Sequence, residues 1–463
     1  MLLLRKILFY LFVLVYCVSC PILVLYALGY ILRPGIEHGI TKAGLIYLST
    51  LPSGAAVRVE NKRFAEKTPT TLRGLLPGDY RVAVSLKGYR PWTRTIAVQV
   101  EKASVFDKIL LLPKEPRYEK LSAEEFDDLI PTRSSRFLLL TKGPLLEDLF
   151  FYDLKNETLS PVIPGNFSFK GARLVSYSSA EEGENLLVHA QFGLWWGEEK
   201  FFWISPAHKT KIRDVTHLFH EKLQLVDWDN QRPEQLFALT DGVLSHLDTV
   251  SGAVYPKFLE KVRAVGLSDK KLYVVDENSG FQKMDLAGKS REKLEEGPSW
   301  TKAFFSDKDI FKIKILPKDK ALFIGRRGRI LSSEPPYLLA DEGIVGVESD
   351  LQSRRVLFWS DDKLGVLDFS DEAENTIRWL IDKGKKITQA FWVYEGSHVL
   401  FRDGNKVYLL ELAAGMAPQL EECLEVKRGS SILYVEKPGK IYYLEKNTGK
   451  LCVTEFARKN NGF

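Results

Sequence analysis

The sequence predicts a mainly β protein: one N-terminal transmembrane helix, a small β-sandwich-like domain, then a β-propeller of about eight blades, with seven as the alternative. Three observations carry that expectation. An uncharged run of 26 residues opens the chain, short alternating segments follow it, and one strand phrase then recurs to the end. The expected boundaries are a short tail over 1–6, the helix over 7–32, a linker over 33–43, the small domain over 44–113 and the propeller over 114–463.

From Ile7 to Leu32 no residue is charged. A helix needs ~20 apolar residues to cross the ~30 Å hydrocarbon layer, so this run spans it with some tilt. Arg5 and Lys6 precede the run and Arg33 closes it, while Tyr10, Tyr26 and Tyr30 fall where interfacial aromatics sit. Pro21, mid-span, is tolerated with a local kink. A cleaved signal or a lipidated Cys20 is the rival reading. Against it, the apolar run continues for 12 residues beyond Cys20, where a lipoprotein has a polar tether. A small positive bias before the run places the N-terminus in the cytoplasm and the body outside, a single-pass arrangement in the cell membrane.

Between residues 44 and 113 the pattern is period two. Leu45–Leu51, Ala55–Val59, Tyr80–Leu86, Ile96–Val100 and Lys108–Leu112 read as strands, with turn residues between them. Tyr80 and Tyr89 are expected to give flat area to a small core. Leu51-Pro52-Ser53-Gly54-Ala55, Thr68-Pro69, Leu75-Leu76-Pro77-Gly78-Asp79-Tyr80 and Lys87-Gly88-Tyr89 occur in the order of a PEGA domain, which this segment resembles. Ser53 stands where the family carries Glu, and Glu66 where glycine is common. The resemblance implies a surface-located, non-catalytic β module.

A charged connector, Lys114 to Arg117, leads to a stretch from Ser122 to Leu129 that reads as a short helix capped by Ser122. An aliphatic run ending in an aromatic residue or leucine then recurs, at Leu138, Leu187, Phe237, Tyr273, Phe323, Phe358, Phe401 and Tyr443. These eight positions cover 305 residues in seven intervals of about 44, the spacing of four-stranded propeller blades. Two intervals are near 35 and three near 50, which leaves seven blades open. The last repeat offers three strands, and residues near Arg117 to Leu121 are expected to supply its fourth.

The net charge of +5, from 65 basic and 60 acidic residues without a long block of one sign, points to no partner and offers no nucleic-acid-binding stripe. Cys423 and Cys452 lie on neighbouring candidate strands, either as a disulfide or as two buried thiols.

No nucleophile elbow, phosphate loop or zinc-protease motif occurs. His217 and His220 have metal-like spacing but lack companions, and Arg326-Arg327-Gly328-Arg329 reads as a hairpin tip. Asp227-Trp228-Asp229 brackets an aromatic ring with carboxylates, as a sugar site does, although a strand-end turn explains it too. Trp195-Trp196 points one ring to each face of a strand. These five, Trp195, Trp196, Asp227, Trp228 and Asp229, are the candidate binding contacts. No catalytic residue, metal or cofactor is expected.

The expected role is a non-catalytic binding or scaffolding protein of the bacterial envelope. Its partners would be the lipid bilayer through residues 7–32 and envelope proteins or cell-wall polysaccharide, not nucleic acid. The alternatives are a polysaccharide-acting enzyme with a site at the propeller channel, drawing on Asp227, Asp229 and Asp269, or a lipid-anchored assembly factor.

Overall fold

The computed structural model describes residues 2–27, 30–32, 40–60, 62–132, 136–162, 171–180, 185–193, 197–205, 211–219, 223–229, 232, 234–276, 280–295, 309–350, 355–369, 377–412, 418–436 and 439–455. The chain divides into two compact units, the first comprising residues 1–117 and the second essentially residues 118–454.

The first unit opens with helix α1 (Leu2–Ala27), which has Pro21 within it. Its 20-residue segment Arg5–Val24 is long and apolar enough to cross a membrane, and none of it is buried by protein. The helix ends five residues before the expected Leu32. Tyr30–Leu32 instead pairs antiparallel with Ile40–Lys42, Tyr30 opposite Lys42. Pro34-Gly35 in the intervening sequence favours reversal of the chain over continued helix.

Seven strands then form two sheets, as the alternating pattern requires. In one, Gly44–Leu51 lies between Thr70–Leu75 and Ala103–Leu110; the other runs Lys62–Lys67, Ala56–Val59, Gly78–Ser85, Trp92–Val98. Gly44–Leu51 buries every second side chain, and Ile46, Leu48, Val57, Leu72, Val82, Val84, Ile96 and Ile109 fill the core. The core aromatic pair is Trp92 and Phe106, edge to face at 5.7 Å, whereas Tyr80 and Tyr89 are only half-buried. The Thr68-Pro69 pair has a physical task. Thr68 Oγ1 accepts from Ala55 N at 2.9 Å and bonds the Thr50 hydroxyl at 2.6 Å, which donates to Pro52 O at 2.7 Å.

The second unit is built from four-stranded antiparallel meanders, each pairing its strands in chain order. Among the described residues they cover 128–161, 172–214, 223–259, 262–295, 311–340, 346–381 and 387–425. An eighth combines Leu433–Val435, Lys440–Leu444 and Lys450–Glu455 with Tyr118–Glu125. The recurrent phrases of the sequence are the second strands of these meanders. All eight marked positions are buried there, because second strands are covered on both faces.

Hydrophobic clusters show how the meanders are arranged. Leu187, Trp203, Trp228 and Leu236 join the second to the third, and Phe237, Leu272 and Met284 the third to the fourth. The same holds onward through the seventh, and Leu138, Leu140, Tyr152, Tyr442 and Leu451 join the eighth back to the first. This face-to-face packing of consecutive sheets into a closed ring is a β-propeller.

The strand Tyr118–Glu125 pairs with Lys450–Glu455, Tyr118 opposite Thr454 and Lys120 opposite Cys452, so the two ends of the unit share one sheet. The helix expected from Ser122 to Leu129 is therefore absent. Its residues form the end of this strand, a bulge between Lys120 and Glu125, and the strand Asp128–Pro131. Ser122 Oγ donates to Glu124 O at 2.8 Å and accepts from Leu451 N at 3.2 Å, so its hydroxyl serves a bulge rather than a helix cap. Cys423 and Cys452 are buried thiols that are not joined in a disulfide. Burial pushes the Cys452 thiol up to about 11.

Candidate functional site

The first strands of successive meanders abut one another, Leu223–Trp228 against Val262–Ser268, and the latter against Phe311–Ile315. They therefore form the hub of the ring. The last pair is hydrogen-bonded in parallel, Ala264 opposite Phe311 and Val265 opposite Lys312, fusing the fourth and fifth meanders into one eight-stranded sheet. Gly266 permits that approach, since a Cβ there would lie 2.1 Å from the carbonyl oxygen of Ile313.

Asp227 sits at the end of its strand inside this hub, 7% exposed. One carboxylate oxygen accepts from Leu267 N at 3.2 Å and the other from Lys312 Nζ at 3.0 Å. A single side chain thus ties three consecutive first strands. Trp228, the next residue, points the opposite way into the core between the second and third meanders, where its Nε1 donates to Ser178 Oγ at 2.9 Å. Asp229 is 2% exposed and closes its own loop: Oδ1 accepts from Arg232 N at 3.3 Å, and its N donates to Gln235 O at 3.0 Å. The three candidates are neighbours in sequence but do not converge on one surface. Trp195 and Trp196 lie outside the described residues.

A second polar cluster closes the ring where the seventh, eighth and first meanders meet. Gln389 grips the backbone of Ile432 with both ends of its amide, accepting from N at 2.8 Å and donating to O at 3.0 Å. Ser431 N donates to Asp128 Oδ1 at 3.1 Å, and Leu129 N to the fully buried Ser430 Oγ at 3.2 Å. Burial holds the Asp128 carboxyl above its ordinary value, against these bonds and the charge of Arg402. Arg402 is 4% exposed and donates from Nη1 to Thr388 Oγ1 at 3.2 Å. Nothing in the sequence around Gln389 or Arg402 marked them, because their partners lie 43 and 14 residues away.

The remaining motifs resolve individually. His217 lies in the short 3-10 turn Thr216–Leu218, and His220 falls outside the described residues. At the basic tip, Arg326 donates to Gln224 O and Arg329 pairs with Asp341 at 2.8 Å, so two of its three cations are engaged. Asp269 takes a positive φ in the turn after Val262–Ser268. A row of Ser176, His189 and Glu199 crosses three strands of the second meander. The imidazole stands 3.4 Å from the hydroxyl and 3.1 Å from the carboxylate, and stacks on Phe201 at 4.4 Å. Among the described residues, no group of three or more His, Cys, Asp or Glu is placed to hold a metal ion.

Residues 43–110 match the PEGA domain family. No curated protein matches the chain in sequence. Among solved structures, the chain is similar to the Dos1 propeller at 13% identity and TM-score 0.46, covering 75% of this chain and 96% of that one. It is similar to the β-propeller domain of Cps50 (Swd1) from Myceliophteria thermophila at 14% identity and TM-score 0.40, covering 73% and 98%. It is also similar to PorZ, a bacterial surface component of the type-IX secretion system of Porphyromonas gingivalis, at 11% identity and TM-score 0.38. That match covers 70% of this chain and 42% of PorZ. The propeller assignment rests on the strand order and the interlocking cores described above.

Proposed function

We propose that this protein is a membrane-anchored binding or scaffolding component of the bacterial cell envelope, with a cytoplasmic N-terminus, extracytoplasmic β modules and no chemical step of its own. The observation that carries this reading is the 20-residue apolar segment Arg5–Val24, wholly uncovered by protein. Left in water, such a surface would drive aggregation; in a bilayer it is an anchor.

Two features of the propeller support a contact role. The Asp227 carboxylate at its hub is engaged by strand-to-strand bonds. Large apolar side chains are exposed instead on the fourth, outermost strands of five different meanders: Tyr118, Tyr255, Leu338, Trp379 and Leu420. Scattered apolar groups at a rim suit broad protein or polysaccharide contact, and tethering raises the local concentration that weak contacts need.

The test is capture from detergent-solubilised envelopes with the full-length chain as bait, alongside a variant carrying Tyr255→Lys and Trp379→Lys. An envelope protein or wall polysaccharide enriched by the parent and lost with the variant is the expected result. Equal, empty captures would remove the scaffolding reading.

A further inference from the structure

The overall charge of +5 conceals a segregation that follows the two units. Residues 40–117 hold 14 Lys and Arg against 6 Asp and Glu, a net of +8. Residues 118–463 hold 48 against 53, a net of −5. The small domain is strongly basic and the propeller mildly acidic.

The acids of the small domain do little to offset this. Glu101 is paired with Lys42, Glu60 accepts from Arg81 N at 2.7 Å, and Glu66 accepts from the Thr70 hydroxyl at 2.7 Å. Four of the 14 cations gather on the outward face of the four-stranded sheet. Val57 and Val59 point into the core, so Arg58 between them points out. Its direct cross-strand partner is Arg63, while Lys67 lies opposite Ala56 and Arg81 opposite Thr95. Arg58, Arg63, Lys67 and Arg81 therefore share one exposed face. On that face Ala56, Ala83, Thr93 and Thr95 carry short side chains, and Asp79, two residues before Arg81, is an acid that shares it.

Like charges directly opposite each other weaken a sheet unless something neutralises them. Among the described residues, neither the Arg58 nor the Arg63 side chain has an ion-pair or hydrogen-bond partner. A face on which four cations outnumber the acids beside them, Asp79 and Glu60, calls for a polyanion. The sequence also limits where the face can go: Gly44 is 20 residues from Val24, a tether of at most ~72 Å when fully extended.

We infer that this face docks on the anionic lipid headgroups of the membrane in which α1 is anchored, holding the small domain against the bilayer. The inference rests on the anchor reading above. Each cation near such a surface adds attraction that decays within a Debye length, so docking depends on lipid charge and is reversed by salt.

The test uses the full chain in vesicles of neutral phosphatidylcholine, or with roughly one third phosphatidylglycerol. Lysine acylation is read by mass spectrometry at Lys67, with Lys289 in the propeller as internal reference. Lys67 modification is expected to fall at least about threefold in the anionic vesicles and to recover at about 0.5 M salt. It is also expected to recover in an Arg58→Gln, Arg63→Gln variant, whose exposed substitutions leave the core untouched. Equal modification in both vesicle types overturns the inference, as does protection by soluble polyphosphate but not by vesicles. Flotation separates the two readings. A chain that floats with neutral vesicles is anchored whatever Lys67 does. Should it float with neither, both readings fall; flotation with anionic vesicles alone would sink the anchor and retain the basic face.

Discussion

Asp227 and Lys312 pair at 3.0 Å across an intervening strand, joining the first strands of the third and fifth meanders while Leu267 of the fourth donates to the same carboxylate. Removing one partner leaves a largely buried charge or backbone donor unmet. Asp227→Ala is expected to destabilise the propeller by about 2 kcal/mol, and Lys312→Met by less. The double variant should lose less than the sum, because the second substitution removes the charge that the first strands. Urea unfolding followed by tryptophan fluorescence measures all three.

Gly266 is the steric counterpart of that pair. Gly266→Val would set a side chain against Ile313, whose carbonyl oxygen lies 2.1 Å from an ideal Cβ position. The parallel pairing beside it must open. The expected cost is at least about 2 kcal/mol, read as a lowered urea midpoint. A midpoint unchanged from the parent would show that the two meanders are not held this closely.

Trp228 distinguishes packing from ligand contact. At 2% exposure among Leu187, Phe201 and Trp203, its truncation to Ala should cost about 3–5 kcal/mol. Trp228→Phe, which keeps most of the area but loses the bond to Ser178, should cost less. Loss of binding to an envelope partner without loss of stability would make Trp228 a contact residue instead.

His246 sets an acid limit on the propeller. Its ring stacks on Phe237 at 4.5 Å and lies 5.7 Å from Tyr255, and Nε2 is buried without a partner. Burial lowers its pKa from 6.5, against the pull of Asp229 and Asp248. The unfolded chain therefore binds the proton first. Stability is full above about pH 6.5 and falls as pH drops from there towards the folded value. Melting temperatures between pH 7.5 and about 5.5 should decline in the parent and decline less in His246→Phe. Identical slopes would assign the loss to other groups.

What the sequence revealed was what repeats or alternates. The phrases around Phe237, Phe323 and Phe401 are legible because second strands are apolar on both faces, and Gly44–Leu51 because it is apolar on one. The Tyr118–Glu125 pairing was foreseeable from a final meander one strand short. Local rules failed where a distant partner decided the outcome. Ser122 carries a helix-cap signature, yet Leu451, 329 residues away, takes its hydroxyl. Asp227 drew attention beside an aromatic ring, while Lys312, which gives it its place, reads as one polar position in Phe311-Lys-Ile-Lys-Ile. The basic face was hidden by summing charge over the whole chain rather than over each unit.

The most direct measurement is the intact mass and alkaline extraction of the native protein from membranes. A protein that keeps residues 1–32 and stays in the pellet at high pH is the expected result. A protein released by that wash, or found soluble with its first thirty-odd residues removed, would contradict it.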